Sequence, residues 1–263
     1  MFNVANFKEV ISTNDQVKKA LRAHASEGYV CRARTQTGGY GRQGRFWTSP
    51  AGGLYQSILL RPKVDLVTLP TLGLVMGLAI RASILRLATL PPDAVQVKWP
   101  NDLMVGDSKI GGISMESTAG GVCIGMGVNV FRPSSTAELM TDEKYSPAYF
   151  ADIAICHTEH GEIEFGNGYE FSNQQDAIAA VGDAILSAFA QCYPVWQSNG
   201  FDPFFKEYMS CSYLQGKRVR MQLLSGNVIA EGTVIGIDKN TACLLVDDGT
   251  EVHKVNSGEA HLL

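Results

Sequence analysis

Residues 35–47, TQTGGYGRQGRFW, contain four glycines, two arginines and a tryptophan, and no acidic residue. We call this segment the glycine loop. Glycine permits positive φ and close backbone approach, so the N–H groups of such a loop can surround an anion. Arg42 and Arg45 carry guanidinium groups that match carboxylates and phosphates, and Trp47 offers a flat face to a ring. The segment favours an anion site, although a flexible hairpin tip would show the same glycines.

A second segment that could carry chemistry is VKWPNDLMVGDSKIGG, residues 97–112. The Gly106-Asp107 pair predicts a hairpin, which would bring Lys109 back beside Asp102. A carboxylate suits Mg²⁺, which prefers hard oxygen ligands, and the ammonium group could pair with a carboxylate or a phosphate. A surface hairpin closed by a salt bridge is the alternative.

Two shorter segments could add polar groups. The sequence ISTN, residues 11–14, offers hydroxyl and amide groups to a compact polar ligand, but it would equally serve as a helix cap. The sequence IGMGVN, residues 124–129, places glycines inside a strand, which is typical of close approach by a ligand. Asn129 could add an amide there, and tight packing of the strand against a helix is the alternative.

Other candidate sites are less convincing. The segment HTEHGEIE, residues 157–164, has histidines and acids, but its HxxH spacing matches no closed metal site, so we interpret it as an acidic surface loop. Cys31 and Cys123 have no adjacent histidine or lysine, which argues against nucleophilic thiols. The six cysteines form no CxxC pair and are expected to be reduced, as in a cytoplasmic protein.

Composition limits the class of protein. The chain has 263 residues, 45% of them hydrophobic, with a net charge of −4, which is ordinary for a globular protein. Residues 28–64 hold six basic residues and no acid, whereas residues 138–176 hold nine acids and one lysine. The basic segment favours a small anion over DNA, since no long basic stripe is present. The apolar run at 69–80 is too short to cross a membrane, and no signal peptide is evident.

These residues need elements to position them. Apolar periodicity and cap residues predict helices at residues 13–27, 69–88, 174–193 and 202–209. Alternation and turn residues predict strands at 29–35, 54–62, 95–99 and 122–130. Because the regular βαβ alternation of a Rossmann sheet is missing, we predict an α+β fold with several antiparallel strand pairs.

The sequence changes character near Gly216. Turns about every 8–12 residues predict five short strands and a small β-barrel. A barrel of this size would be marginally stable alone, so we expect it to dock on the larger domain. The predicted domains are residues 1–213 and 214–263.

Taken together, these segments resemble the biotin protein ligases. The family's loop reads GRGRxGRxW; this chain has GYGRQGRFW, followed in the family's order by SPAGGLYQSILLRP, KWPNDLMVGDSKIGGISME and GMGVN. The C-terminal segment is similar to the family's SH3-like domain. The resemblance covers nearly the whole chain and implies a class II synthetase-like core, a mixed sheet packed by helices, with a C-terminal SH3-like barrel.

The resemblance also implies an activity. Biotin and MgATP would give biotinyl-5′-AMP and pyrophosphate, and a lysine of a biotin carboxyl carrier protein would then attack the mixed anhydride and release AMP. The implied small molecules are therefore biotin, ATP and Mg²⁺.

The site residues follow from matching motifs. The implied catalytic residues are Lys109, Arg42 and Asp102, with Asp102 also a ligand of Mg²⁺. The positions implied to bind biotin are Ser12, Thr13, Asn14, Gln36, Tyr40, Gly41, Arg42, Lys109, Gly112, Gly125 and Gly127. The positions implied to bind the nucleotide are Arg42, Arg45, Trp47, Asn101, Asp102 and Asn129.

The chain departs from the family pattern at two positions in the loop. Tyr40 replaces the loop's first arginine, and Gln43 replaces a frequently basic residue, so affinity for the nucleotide or pyrophosphate can differ from the family's norm. The STN motif begins at residue 12, so we expect a ligase without an N-terminal DNA-binding domain. A lipoate or octanoate ligase of the same superfamily and a non-catalytic biotin sensor remain alternatives, and dimerisation stays open.

Overall fold

The computed structural model describes residues 2–118, 120–134, 146–157 and 162–263, with the side chains of 155–157 excluded. The described helices are α1 (Thr13–Arg22), α2 (Pro70–Ala88), α3 (Phe150–Ala154), α4 (Gln174–Asn199) and α5 (Asp202–Ser210). The strands of the main sheet are β1 (Asn3–Val10), β2 (Tyr29–Gln36), β3 (Gly53–Leu60), β4 (Gln96–Lys98), β5 (Asp102–Val105), β6 (Ser108–Thr118) and β7 (Gly121–Asn129).

The main sheet is mixed, as the family resemblance implied. Its order is β1-β2-β3-β7-β6-β5-β4; β1 and β2 are parallel, and the other neighbours are antiparallel. A short antiparallel sheet lies apart from it and contains β8 (Ile155–His157), β9 (Ile163–Phe165) and β10 (Glu170–Phe171).

Helices cover both faces of the central strands. Alternate residues of a strand point to opposite faces. Leu59 of β3 and Cys123 of β7 pack with Leu21 of α1 in one cluster. Ile58 and Ile124 lie in the larger cluster formed with α2 and α4. Burial on both faces accounts for the burial of β3 along its whole length, which includes the polar residues Gln56 and Ser57.

Two long helices owe their apolar composition to this packing. Segments Leu66–Ala88 and Gln174–Asn199 are long and apolar enough to cross a membrane by length and composition, although the apolar run at 69–80 alone is too short. Of their most apolar windows, 67% and 44% are buried inside the protein. The second helix, α4, extends beyond the predicted end at residue 193 and contains Pro194. Tyr193 and Trp196 flank this proline and are both buried, so their packing offsets the lost hydrogen bond.

One other prediction of local structure was wrong, and one strand was missed. Helix α1 ends at Arg22 rather than at residue 27, and His24 has φ 56°, a left-handed conformation common just after a helix. Strand β1 was not predicted, because it is an edge strand with mostly exposed side chains and little alternation.

The C-terminal strands form a separate five-stranded antiparallel sheet that fits an SH3-like domain. They are β11 (Arg218–Gln222), β12 (Val228–Ile237), β13 (Leu244–Asp247), β14 (Val252–Val255) and β15 (Glu259–Leu262), in the order β14-β13-β12-β11-β15. The sequence did not delimit β15, which pairs with β11. The small sheet contacts the larger domain where the indole N–H of Trp99 donates to the carbonyl of Ala242 at 2.7 Å. The boundary at residue 214 stays a prediction.

Candidate active site

A cavity of about 400 Å³ lies over β6 and β7 and is bounded by α1, the glycine loop and β15. All the predicted site residues line it except Ser12 and Asn129. Ser12 is buried at the N-terminus of α1. Asn129 lies in a small neighbouring cleft that also contacts Trp47, and its amide donates to the carbonyl of Lys109 at 3.3 Å.

The hairpin of β5 and β6 brings Lys109 beside Asp102, as its turn signal predicted. Lys109 Nζ lies 3.2 Å from Asp102 Oδ1. Asp102 is paired with Gly112, and the register shifts between Leu103 and Met104. This irregularity lets Lys109 and Asp102 reach the same cavity although they do not pair directly.

Cations dominate the centre of the cavity. Its lining holds four cationic side chains, Arg42, Arg45, Lys98 and Lys109, against the carboxylates of Asp102 and Glu259. Burial lowers the pKa of Lys98, and the charge of Asp102 opposes that shift. Burial likewise lowers the pKa of Arg42, and the charge of Asp102 opposes this shift as well. A surplus of buried positive charge predicts an anionic ligand.

One end of the cavity is a connected set of uncharged polar groups. Gln36 Oε1 accepts from the backbone N–H of Thr13 at 2.8 Å and from its hydroxyl at 3.1 Å. The Ser57 hydroxyl lies 2.6 Å from Asn14 Oδ1 and 2.7 Å from Thr13 Oγ1. The Asn14 amide donates to Ser114 Oγ at 2.9 Å. These bonds orient donors and acceptors at fixed positions, which suits a compact polar head group.

Glycines on β6 and β7 make room for the side chains of the cavity. A Cβ at Gly125 would lie 2.0 Å from Asn14 Oδ1, and one at Gly127 would lie 2.5 Å from Trp47 Nε1. A Cβ at Gly112 would lie 3.3 Å from Lys109 Cε. The prediction for the β7 glycines was close approach by a ligand, with packing against a helix as the alternative. In the structure the side chains of Asn14, from α1, and Trp47 lie against them.

The glycine loop is folded back on itself. Gly41 N donates to the carbonyl of Arg45 at 2.8 Å, and Trp47 N donates to that of Gly39 at 2.9 Å. Gln43 has φ 58°, an uncommon conformation for a residue with a Cβ. This closed turn directs Arg42 towards Asn101, whose Oδ1 accepts from the guanidinium at 3.3 Å.

The C-terminal domain contributes a wall that sequence patterns did not identify. Arg45 donates to Glu259 Oε1 at 2.7 Å, and Leu224, Gly258 and Ala260 also line the cavity. Nothing in their local sequence distinguishes these residues. Lys98 was also missed as a site residue, although its position directly before the WPND motif could have indicated it.

The thiols near the site are not arranged for catalysis. Burial raises the pKa of Cys31 to about 12 and also raises that of Cys123. Both are free and buried, so neither offers a thiolate at neutral pH. Of the HTEHGEIE segment, residues 158–161 and the side chain of His157 lie outside the described part of the chain.

The mixed sheet holds a carboxylate–lysine pair, two arginines and a polar pocket in one cavity, which suits a ligase that activates an acid. The chain matches the model of the biotin/lipoate A/B protein ligase family over residues 7–129. It is 36% identical over 244 residues to a biotin–[acetyl-CoA-carboxylase] ligase of Paracoccus denitrificans, covering 89% of this chain and 90% of that protein. The chain belongs to the biotin/lipoate A/B protein ligase family.

Further relatives agree with this assignment. The chain is 38% identical over 258 residues to a bifunctional ligase/repressor of Salmonella typhimurium, covering 94% of this chain and 70% of that protein. It superimposes on the biotin protein ligase from Aquifex aeolicus in complex with biotin and ATP with a TM-score of 0.73 at 25% identity, covering 100% of this chain and 99% of that one.

Proposed function

We propose that this protein is an ATP-dependent biotin protein ligase. The observation that carries the proposal is the pairing of Lys109 with Asp102, 3.2 Å apart, in the same cavity as Arg42, Arg45 and the polar pocket. This arrangement can hold a carboxylate and a triphosphate next to each other. Bringing two anions together is the main barrier to forming an acyl adenylate, so positioning and charge neutralisation supply most of the catalysis.

In the first step, an oxygen of the biotin carboxylate attacks the α-phosphorus of ATP, and pyrophosphate leaves. Thr13, Asn14 and Gln36 hold the ureido head. Lys109 and Arg42 neutralise the carboxylate and the α-phosphate oxygens, where negative charge grows in the transition state. Arg45 holds the departing phosphates, and Trp47 packs beside the adenylate.

In the second step, the amine of a carrier-protein lysine attacks the carbonyl carbon of biotinyl-5′-AMP. An amide bond forms, the C–O bond to the phosphate breaks, AMP leaves and one proton is released. The glycine loop shields the labile anhydride from water until the acceptor arrives. We propose that the acceptor is a biotin carboxyl carrier domain of a carboxylase and that the reaction takes place in the cytoplasm.

The residues present are compatible with Mg²⁺ entering together with ATP. Asp102 Oδ1 is buried and makes no hydrogen bond within the described part of the chain, although Lys109 Nζ is ion-paired with it at 3.2 Å. Mg²⁺ commonly takes one or two carboxylates and completes its coordination with water and substrate phosphates. Asp102 would hold it, and the ion would supply further charge neutralisation at the phosphates.

The decisive assay incubates the protein with MgATP, labelled biotin and an unmodified carrier domain. The proposal requires label on the carrier lysine and release of AMP and pyrophosphate, and absence of label would refute it. Calorimetric titration with biotin and with lipoate separates the two acyl substrates of the family. Tighter binding of lipoate would favour the other acyl ligase, and specific retention of an operator in a gel shift would contradict the expected absence of DNA binding.

A further inference from the structure

The phenol of Tyr40 lies at the centre of a charged cluster that the proposed chemistry does not use. Lys18 Nζ donates to its hydroxyl at 2.6 Å. The hydroxyl lies 3.0 Å from Asp15 Oδ1 and 3.0 Å from Glu116 Oε1. Lys18 is also ion-paired with Glu116 at 2.9 Å and with Asp15 at 3.1 Å. We call this cluster the loop tether.

The loop tether joins three parts of the fold. Tyr40 belongs to the glycine loop, Lys18 and Asp15 to α1, and Glu116 to β6. The Lys18 side chain is only 18% exposed. Hydrogen bonds to charged partners in partly buried surroundings are stronger than exposed ones. The cluster therefore fixes one side of the loop to the rigid frame, whereas residues 43–46 at its tip are exposed.

The cluster also accounts for the tyrosine at a position where the family pattern has arginine. Lys18 already supplies a cation there and is paired with both Glu116 and Asp15, so a guanidinium at residue 40 would compete with Lys18 for the same two carboxylates. A phenol avoids this conflict because it accepts from the ammonium and can donate to either carboxylate. In this chain, therefore, the cation of the cluster is Lys18 of helix α1, and the loop contributes a neutral phenol.

We propose that Tyr40 is a positioning residue: through Lys18 and Glu116 it holds the glycine loop over the cavity before any ligand binds. A glycine-rich loop loses much conformational entropy when it becomes ordered. If the tether orders the loop in advance, ligand binding no longer carries that cost, and affinity increases. The effect on ligand affinity rests on the proposed function, whereas the tether itself does not.

The tether also contacts the polar pocket. The Asn14 amide, which donates to Ser114 Oγ at 2.9 Å, lies 3.5 Å from Glu116 Oε1. A change in Glu116 therefore reaches the group proposed to hold the head of biotin. Release of the loop and disorder of this pocket are expected to occur together, so loss of the tether should affect KM more than kcat.

Limited trypsin digestion of the unliganded protein tests the tether. Although the tip is exposed, trypsin must bind an extended segment around the cleaved bond, so cleavage after Arg42 and Arg45 requires the loop to leave its closed turn and reports the open population. Tyr40→Phe removes only the hydroxyl and is expected to increase cleavage at these sites about tenfold. The matched control is Tyr193→Phe. It removes a hydroxyl that donates to Glu27 Oε1 at 2.6 Å, and neither residue lines the cavity. Loop cleavage in this variant should therefore be unchanged.

Two further measurements make the outcome decisive. Lys18→Met keeps the phenol and removes its main partner, so it should reproduce the increased cleavage even if Tyr40→Phe does not fold. Biotin affinity by calorimetry should fall about tenfold in either variant while kcat stays near that of the wild type. Equal cleavage in wild type and variants would overturn the proposal. If the wild type is protected but does not biotinylate a carrier, the proposed function fails and the tether stands.

Discussion

Lys109 Nζ and Asp102 Oδ1 lie 3.2 Å apart, and both side chains are largely buried, at 15% and 18% exposure. Lys109 Nζ also lies 4.8 Å from the centre of the Trp47 ring. One ammonium group thus connects the proposed carboxylate and phosphate subsite to the aromatic wall. Any ligand anion that binds there must share this cation with Asp102.

Lys109→Ala is expected to lower the rate of adenylate formation by about 10²–10³, the effect of removing one donor aimed at developing negative charge. Pyrophosphate release under single-turnover conditions measures this step. The control is Lys239→Ala, which removes a surface ion pair in which Lys239 Nζ lies 2.9 Å from Asp202 Oδ1. This variant should leave the rate unchanged. Melting temperatures of both variants test folding, and near-normal turnover in Lys109→Ala would contradict its assigned role.

Gly127→Ala is expected to displace Trp47, because the new Cβ would lie 2.5 Å from its Nε1. Overpacking of this kind costs about 1–3 kcal/mol of stability, and the KM for ATP should rise. Chemical denaturation and steady-state kinetics measure the two effects. Gly73→Ala is the matched control: its Cβ meets nothing within 4 Å, so this helical substitution should stabilise the protein by about 0.5–1 kcal/mol. Unchanged kinetics in Gly127→Ala would argue against a nucleotide wall at Trp47.

Glu259→Gln is expected to tighten ATP binding about two- to fivefold, because the carboxylate competes with phosphate for Arg45 and an exposed pair is worth at most about 1 kcal/mol. The effect should shrink at high salt. Glu231→Gln is the control, because its ion pair with Arg220 is about as exposed as the Arg45–Glu259 pair. The arginine side chains are both 47% exposed, and Glu231 and Glu259 are 38% and 32% exposed. Weaker ATP binding in Glu259→Gln would show instead that the pair holds Arg45 in position.

The Tyr40 phenol should ionise at unusually high pH. Burial raises its pKa from 10.0 to about 12; hydrogen bonding from Lys18 opposes the shift and Glu116 adds to it. The folded protein thus favours the protonated phenol, so its contribution to stability is complete below pH 10.0 and is lost as the pH rises towards about 12. The tyrosinate absorbance of the wild type minus that of Tyr40→Phe measures this ionisation. A midpoint near the ordinary value would contradict the buried position of the phenol.

The sequence predicted those parts of the site in which neighbours along the chain are also neighbours in space. The β5–β6 hairpin is one such case, since a two-residue turn fixes which residues can meet. The glycine loop is another, because its glycines, arginines and tryptophan lie within residues 35–47. In both cases local backbone rules were sufficient to predict which residues come together.

Contacts between distant segments could not be predicted in this way. Lys18 and Glu116 are separated by 98 positions, and Arg45 and Glu259 by 214. Helix α4 continues beyond Pro194, where Trp196 is buried. The edge strand β1 is held by its pairing with β2. Each depends on tertiary packing, which overrides local preference and leaves no periodic signal in the sequence.

The cavity is lined by residues from Thr13 in the first helix to Ala260 in the last strand. We expect a site formed by segments so far apart along the chain to be completed late in folding, because contacts between distant segments carry a large loop-closure entropy cost. A folding intermediate without the docked β15 would lack Glu259 and the adjoining wall. Catalytic competence should therefore return after the core has formed, and recovery of adenylate synthesis should lag behind recovery of secondary structure during refolding.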